Sequence, residues 1–379
     1  MRKPTKAVKI RDIQIGGGAP VVVQSMTKTD TTDVDATIRQ IEEMVEAGCE
    51  IVRVAVPDDD AAHAMKEIRK RTDVPLVADI HFHYKLALKA LDAGIDKLRI
   101  NPGNIGHIDR VREVVRAAEV QKVPIRIGVN GGSLEKDLLK KYGTATPEAM
   151  VESGMRHIKI LEDLGFGDII ISLKASDVNR MVAAYRLMAE KVDYPLHLGV
   201  TEAGTPFAGS IKSSVGMGAL LVDGIGDTMR VSLTADPVEE VRVAFEILKA
   251  LGLRERGPIM IACPSCGRDN VGVQTLAENV EERLRAYPQH FEVAVLGCAV
   301  NGPGEAGDAD FGIAGGRDTG FVYAHGRVLK KVSSDILIDE LFHEIDKWIA
   351  DGMQRPKRLK MAKPAALAMA EASLIPLGE

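Results

Sequence analysis

Between residues 20 and 233 the chain repeats one pattern: a short, almost wholly apolar run ends in a polar or Gly-containing tip, and an amphipathic segment follows. The runs are PVVVQSM (20–26), EIVRVAV (50–56), PLVADIH (75–81), DKLRINPG (96–103), PIRIGVN (124–130), DIIISLKAS (168–176), PLHLGVTEAG (195–204) and DTMRVSL (227–233). Short β-branched runs without polar alternation mark parallel strands covered on both faces. The segments between them have helical period. VDATIRQIEEMVEAG (34–48) places Ile38, Ile41, Met44 and Val45 on one face and stops at Gly48. HIDRVREVVRAAE, SDVNRMVAAYRLMAE and ADPVEEVRVAFEILKALG behave alike, and several open with Asp or Ser at an N-cap. Eight strands alternating with eight helices predict an α/β fold, a (β/α)8 TIM-type barrel. The competitor is an open doubly wound sheet. The count of eight, and the lack of a G-x-G-x-x-G after the first strand, favour the barrel.

Near residue 253 the pattern changes. LRERGPIMIACPSCGRDN opens a second region with a helix at about 271–286, a strand (FEVAVLG), a Gly-rich loop, a hairpin-like pair (DFGIAGG and GFVYAHGRVLKKV) and a closing helix at about 333–351. The expected division is a barrel over 1–253, a small α+β domain over 254–352 and a tail over 353–379, first basic and then Ala-rich.

Composition narrows the class. The 379 residues are 45% hydrophobic and 27% charged, which excludes global disorder, and the net charge of −5 gives no basic excess for nucleic acid. The opening MRKPTKAVKIRDIQIGGG is basic with no apolar run behind it, so no signal peptide is expected. No stretch approaches the roughly 18 consecutive apolar residues of a membrane span. The expectation is a soluble, cytoplasmic protein.

Active sites of such barrels lie at the C-terminal ends of the strands. Those ends carry Arg53, Asp79 with His81, Arg99 with Asn101, Arg126 with Asn130, Ser172 with Lys174, Glu202, and Arg230 with Ser232. Residues two apart share a face of a strand, so each pair projects together. A cation within an apolar strand is costly unless it has a partner. Five cations on five strands of an acidic protein point to a polyanionic ligand, most simply a diphosphate gripped by guanidinium forks. Asp79, His81 and Glu202 are candidates for acid–base work or for binding hydroxyls. His83 suits a helix start as well as catalysis. Lys212 and Ser213 are a weaker candidate for a helix start near phosphate. His63, His107, His157, His290 and His343 read as surface or packing residues, and Trp348 as core.

The four cysteines are Cys49, Cys263, Cys266 and Cys298. Cys263 and Cys266 form C-P-S-C-G at the end of an apolar strand, and Cys298 follows another strand in LGCAVNGPGEAGD. A structural zinc site usually takes four ligands, but no second C-x2-C is present. Three thiolates with a non-Cys fourth position suit an iron–sulfur cluster with one distinct iron. Glu305, in the same Gly/Pro-shaped loop as Cys298, is the candidate fourth ligand, with a solvated loop residue as the equal alternative. Its carboxylate would be the weakly held member that a substrate oxygen can displace. Cys49, at the end of a barrel helix, reads as a small buried thiol.

The motifs V-Q-S-M-T, A-D-I-H-F, R-I-N-P-G-N, I-R-I-G-V-N, S-L-K-A-S, G-V-T-E-A-G, C-P-S-C-G-R and G-C-A-V-N-G-P-G-E-A run in order over essentially residues 1–350. In these the chain resembles the 4-hydroxy-3-methylbut-2-enyl diphosphate synthase family, in its shorter bacterial two-domain form. The resemblance implies two-electron reductive ring opening and dehydration of 2-C-methyl-D-erythritol 2,4-cyclodiphosphate in the non-mevalonate isoprenoid pathway. It implies a [4Fe–4S] cluster held by Cys263, Cys266, Cys298 and Glu305, and flavodoxin or ferredoxin as electron donor. It further implies a homodimer in which the cluster domain of one chain covers the barrel of the other. The Arg/Lys ring would hold the cyclic diphosphate, and Glu202 would assist proton transfer or steer the substrate hydroxyl. Asn301 would position substrate or cluster, or only shape its loop. Two other readings remain: a non-redox barrel enzyme such as a pterin-binding synthase with a zinc-stapled appendage, and an iron–sulfur electron carrier or scaffold.

Overall fold

The computed structural model describes residues 2–81, 83–101, 107–266, 269, 272–298, 309–316 and 318–354. The chain divides into two compact units, residues 1–254 and 255–379.

The first unit begins with an antiparallel hairpin, β1 (Val8–Ile10) and β2 (Ile13–Ile15). Eight parallel strands follow: β3 (Val22–Met26), β4 (Ile51–Ala55), β5 (Leu76–Asp79), β6 (Lys97–Ile100), β7 (Ile125–Asn130), β8 (Ile169–Lys174), β9 (His197–Leu198) and β10 (Thr228–Met229). Their order is β8-β7-β6-β5-β4-β3-β10-β9. A parallel bridge between Ile171 and Leu196, with Ile171 N donating to Pro195 O at 3.0 Å, joins β8 to β9 and closes the circle. All eight apolar runs of the sequence are strands of this barrel.

The outer layer is α1 (Val34–Glu46), α2 (Asp59–Arg71), α3 (Tyr84–Asp92), α4 (Ile108–Gln121), α5 (Lys136–Tyr142), α6 (Pro147–Glu162), α7 (Val178–Lys191), α8 (Pro206–Val222) and α9 (Pro237–Ala250). Asp33, Asp58, Asp177 and Asp236 each cap the helix that follows, accepting from a backbone N–H of its first turn. The short α5 sits between β7 and α6, an insertion that the alternation of runs did not reveal. Alternate strand residues such as Val52, Val54, Ala78, Ile127, Ile171 and Leu198 point outward and pack with the apolar faces of the helices into one core. A separate cluster of Val22, Ile51, Val77 and Ile170 fills the bottom of the barrel, where Val8, Ile10 and Ile15 of the hairpin plug it. The hairpin is also missing from the sequence reading, because strands of three residues carry too few positions to show a period.

In the second unit, β11 (Ile259–Ala262), β12 (Glu292–Leu296), β13 (Phe311–Gly315), β14 (Thr319–Ala324) and β15 (Arg327–Ser333) form one sheet in sequence order. β11, β12 and β13 run parallel, while β14 and β15 are antiparallel additions. The segment read as one arm of a hairpin, GFVYAHGRVLKKV, is thus two strands. They turn at His325 and Gly326, both with positive φ. The helices are α10 (Val273–Leu284) and α11 (Leu337–Ala350), the latter starting four residues later than expected because residues 334–336 form a 3-10 turn. Trp348 packs edge-on against Phe291 and Phe311, as its core assignment required.

Candidate active site

Register in the barrel decides which side chains share the interior. Val77 is paired with Lys97, Asp79 with Arg99, Arg99 with Arg126, and Asn130 with Lys174. Arg53 and Val77 are partners one strand earlier. Parallel partners point the same way, so Arg53, Asp79, Lys97, Arg99, Arg126, Asn130, Ser172 and Lys174 all face the barrel axis. The common face expected of Ser172 with Lys174, and the shared parity of Arg126 with Asn130, follow from this register, whereas Asn101 lies past the end of β6 and Arg230 and Ser232 past the end of β10. Arg99, Arg126, Lys174 and Asn101 are buried, Arg53, Asn130, Arg230 and Ser232 are half-buried, and His81 is exposed at the rim.

The cations fall into two classes. Arg53, Arg99 and Arg230 have carboxylate partners. Asp79 Oδ1 accepts from Arg99 Nη1 at 3.1 Å, and its Oδ2 lies 3.4 Å from Arg53 Nη2. His81 Nε2 is 3.1 Å from Asp79 Oδ2 and 3.1 Å from Arg99 Nη1. Burial alone would raise the Asp79 pKa, but Arg53, the His81 hydrogen bond and Arg99 together hold it well below the usual carboxylate range. Burial lowers the Arg53 guanidinium to about 10, partly offset by Asp79. Arg230 donates from Nε and Nη2 to Glu240 of α9 at 3.2 and 3.1 Å. With its amide turned to satisfy both ends, Asn130 accepts from Arg99 Nη2 at 3.3 Å.

Arg126 and Lys174 form the second class. Arg126 is 1% exposed, and none of its three guanidinium nitrogens has a hydrogen-bond partner among the described residues. Burial, then Arg53 and Arg99, push its pKa well below the ordinary guanidinium value. Lys174 is lowered by burial and by Arg126, Arg230, Arg53 and Arg99. A cluster of like charges held dry is expensive unless an anion joins it.

Two glycines make room for these groups. A Cβ at Gly128 would lie 2.5 Å from Arg99 Nε, and one at Gly199 would lie 2.6 Å from Lys174 Nζ and 2.8 Å from Arg230 O. Ser172 Oγ donates to Ile127 O at 3.3 Å. Glu202 stands exposed just beyond β9 with φ of +52°, a left-handed backbone that is rare for Glu. Lys212 and Ser213 correct an expectation. α8 starts at Pro206, so both lie in its second and third turns and not at its N-terminus. His83 precedes α3 without a side-chain cap bond, and His157 is buried against Glu135 at 3.1 Å.

In the second unit, β11 ends at Ala262 and β12 at Leu296, and Ala262 is paired with Val295. Cys263 and Cys298 therefore leave the same edge of the sheet, and Cys263 N donates to Val295 O at 3.0 Å. Cys266 follows through a turn in which Ser265 has φ of +63°. None of the three is in a disulfide among the described residues, and they are buried at Cys298, half-buried at Cys263 and exposed at Cys266. Among the described residues no group of three or more His, Cys, Asp or Glu side chains is spaced to hold a single metal ion. Glu305 and Asn301 lie outside the described residues, as does the tail from residue 355. Cys49 is apart from these, buried in the barrel unit with its thiol donating to Ile51 O at 3.2 Å.

The GcpE TIM-barrel domain model matches residues 5–245, and the GcpE protein C-terminal domain model matches 259–347. The chain belongs to the GcpE family. Among its relatives, the 4-hydroxy-3-methylbut-2-en-1-yl diphosphate synthase (flavodoxin) of Geobacter sulfurreducens is 57% identical over 93% of this chain and 99% of its own. The enzyme of that name from Nitratidesulfovibrio vulgaris is 59% identical over 92% and 91%. The one from Geobacillus thermodenitrificans is 55% identical over 95% and 96%. Among solved structures, Yersinia pestis dihydropteroate synthase aligns with 65% of this chain and 99% of its own at 14% identity and TM-score 0.47, too distant to bear on activity.

This GcpE chain also carries interior polar residues that its sequence did not single out. Lys97, fully buried, shares the face of Arg99 and donates to Gln24 Oε1 at 2.9 Å. His197 and Thr228 are paired across β9 and β10 and are likewise buried. The parity of K-L-R in β6 could have found Lys97, and the lone polar His in P-L-H-L-G could have found His197. Glu240 had no such signal, since a Glu on an amphipathic helix is ordinarily solvated. Among the described residues no helix is long and apolar enough to cross a membrane.

Proposed function

We propose that this GcpE protein converts 2-C-methyl-D-erythritol 2,4-cyclodiphosphate to 4-hydroxy-3-methylbut-2-enyl diphosphate, as the relatives' name implies. Two electrons and two protons enter, a ring C–O bond breaks, and a hydroxyl leaves as water. The observation that carries this reading is that the Arg126 guanidinium, with Lys174 buried near it, has no hydrogen-bond partner among the described residues, in a barrel where Arg53, Arg99 and Arg230 already hold carboxylates. These two groups would take the negative charge of the diphosphate, while Arg53, Arg99 and Arg230, fixed by Asp79 and Glu240, present preset donors around it. Asn101, Asn130, Ser172 and Ser232 would complete the cradle. His81 at the rim, hydrogen-bonded to Asp79, and Glu202 beyond β9 would bind the substrate hydroxyls and hold the proton that leaves with water.

Cys263, Cys266 and Cys298, with Glu305, would hold a [4Fe–4S] cluster. Three thiols outside any disulfide among the described residues, following two adjacent strand ends, fit that donor set. When bound, the cluster supplies the electrons singly, with a flavodoxin or ferredoxin as the source. The relatives' name supports flavodoxin. The protein would act as a cytoplasmic homodimer, each cluster domain serving the partner's barrel.

Iron and acid-labile sulfide in anaerobically purified protein test the reading. About four of each per chain are expected. Stoichiometric zinc without sulfide would overturn it. Glu305→Ala should retain the thiolates and lose most turnover, and full activity in that variant removes Glu305 from the ligand set.

A further inference from the structure

Below the candidate diphosphate mouth the barrel has a second polar level that the proposed reaction does not use. Gln24, Lys97, His197 and Thr228 belong to four strands, face the axis and are 0–1% exposed. They sit directly above the apolar floor, since Thr228 is paired with Val22 of the floor and with His197 on its other side, and Val77 of the floor is paired with Lys97. The Lys97–Gln24 hydrogen bond spans the lumen, because β4 and β5 lie between their strands in the sheet. Arg126, paired with Ile170 of the floor on one side and with Arg99 on the other, is shared between this level and the mouth.

The polar atoms here are orphaned. Gln24 Nε2, both ring nitrogens of His197, Thr228 Oγ1 and all three guanidinium nitrogens of Arg126 are buried without a hydrogen-bond partner among the described residues. Groups so enclosed are nearly always paired in folded proteins, so an occupant is expected. Its chemistry follows from the donor balance. Arg126 and the Gln24 amide nitrogen can only donate, as can Lys97 in its ammonium form, and only His197 and Thr228 offer any acceptor. A water placed among them would find donors for its lone pairs but few acceptors for its two hydrogens. An anion has no such mismatch. Burial, with Arg126 and Arg53 nearby, disfavours the charged form of Lys97, and burial with Arg126, Lys174, Lys97 and Arg53 disfavours that of His197, a cost that an anion among them would offset.

We propose that a small inorganic anion of the halide class resides beneath the diphosphate site, held by Arg126, Lys97, His197, Thr228 and the Gln24 amide. It would offset the interior cations while the mouth is empty and would remain when the mouth is filled. The plugged floor leaves the mouth as its route of entry.

The test uses the full chain and sodium bromide as the probe. Crystals soaked in bromide, with and without inorganic pyrophosphate, should each show an anomalous peak between Arg126 and His197. In solution, replacing sodium gluconate by sodium bromide at constant ionic strength should raise Tm saturably, by about 3–5 °C at tenfold saturation. Lys97→Met and Thr228→Val should abolish that rise. Water without an anomalous peak overturns the proposal. So does a peak that vanishes when pyrophosphate binds, because the halide would then be only a stand-in at the mouth. Pyrophosphate that fails to bind while the bromide stays would count against the diphosphate reading alone. Should both variants fail to fold, the peak in the wild-type crystals decides.

Discussion

Glu240 Oε2 lies 3.1 Å from Arg230 Nη2, although Glu240 belongs to α9 and is 1% exposed. Its carboxylate also accepts from Ser25 Oγ at 2.9 Å and from Leu233 N at 3.0 Å, and Lys28 Nζ lies 3.1 Å away. One helix carboxylate thus ties the end of β3 to the end of β10 and fixes the direction of a mouth guanidinium. Glu240→Ala leaves Arg230 and Lys28 without that partner, a loss of about 3–5 kcal/mol for a buried pair broken on one side. Glu240→Gln keeps the shape and some acceptors, so it should fold. Its KM for the cyclodiphosphate should rise roughly tenfold, with kcat changed less, as expected when a ground-state anchor loosens. Unchanged KM in a folded Glu240→Gln variant would show that Arg230 needs no such anchor.

Asp79 makes the protein's acid stability partly its own. Its carboxyl is held well below the usual range because Arg53, His81 and Arg99 outweigh the burial that would raise it. In the unfolded chain it titrates near about 3.9. A depressed native value gives stability that is fully present above the unfolded pKa and fades as pH falls below it. Urea unfolding of the wild type should therefore weaken below about pH 4, with Asp79 contributing about 1.4 kcal/mol per pH unit. Asp79→Asn should be less stable at pH 7, since two buried guanidinium groups lose their counter-charge, and should show a shallower acid slope. Parallel slopes in the two proteins would mean that other carboxylates govern the acid limb.

The barrel was readable because its signal is redundant: eight apolar runs had to be wrong together for the fold to be missed. The mouth was readable for the same kind of reason. Arg99, Arg126 and Lys174 break the apolar character of their strands, and strand parity sends them inward. What the sequence hid has local causes. The plug depends on three-residue strands, and Glu240 functions from a helix whose periodicity marks it only as polar. The pairing that separates Arg230 from Arg126 is tertiary, so no spacing in the chain reports it.

The two interior glycines bear on affinity directly. The Cβ of Gly128→Ala would meet Arg99 at Nε, Nη2 and Cζ, 2.5–3.0 Å away, a side chain that can shift at the expense of its bonds to Asp79 and Asn130. That variant should fold, with Arg99 displaced and KM raised about tenfold. Gly199→Ala meets the backbone at Arg230 O, 2.8 Å away, as well as Lys174 Nζ. Backbone cannot yield as a side chain does, so this variant should also lose stability. Thermal melts and KM values measured side by side check the contrast, and equal melting temperatures would refute it.

The N-terminal plug should be worth more than its length suggests. Ile10 and Ile15 are fully buried against Val22, Ile51, Val77 and Ile170. The segment leading to them is tied by Thr5 Oγ1 and Arg2 Nη2, each 2.9 Å from Asp227 Oδ1. Ile10→Ala should cost about 2–5 kcal/mol as a core truncation. A loss below about 0.5 kcal/mol in urea titration would show that the floor closes without the hairpin.

The cysteines separate by environment, and so should their variants. Burial pushes the Cys49 thiol up to about 12, which keeps it protonated and a poor metal ligand at neutral pH. It donates to Ile51 O and packs with Ile41, Met44 and Val52 in the barrel's outer core. Cys298 instead leaves the strand edge that Cys263 also leaves. Cys49→Ala should therefore retain iron and sulfide in full and lose about 1 kcal/mol of stability, as an ordinary small truncation does. Cys298→Ala should bind little iron, and the visible charge-transfer absorbance of the anaerobic protein should fall with it. Each variant is informative without an activity assay, because iron, sulfide and absorbance are read on the purified chain. Loss of iron in Cys49→Ala with a normal circular-dichroism spectrum would move Cys49 into the ligand set and break the division between the two units' thiols.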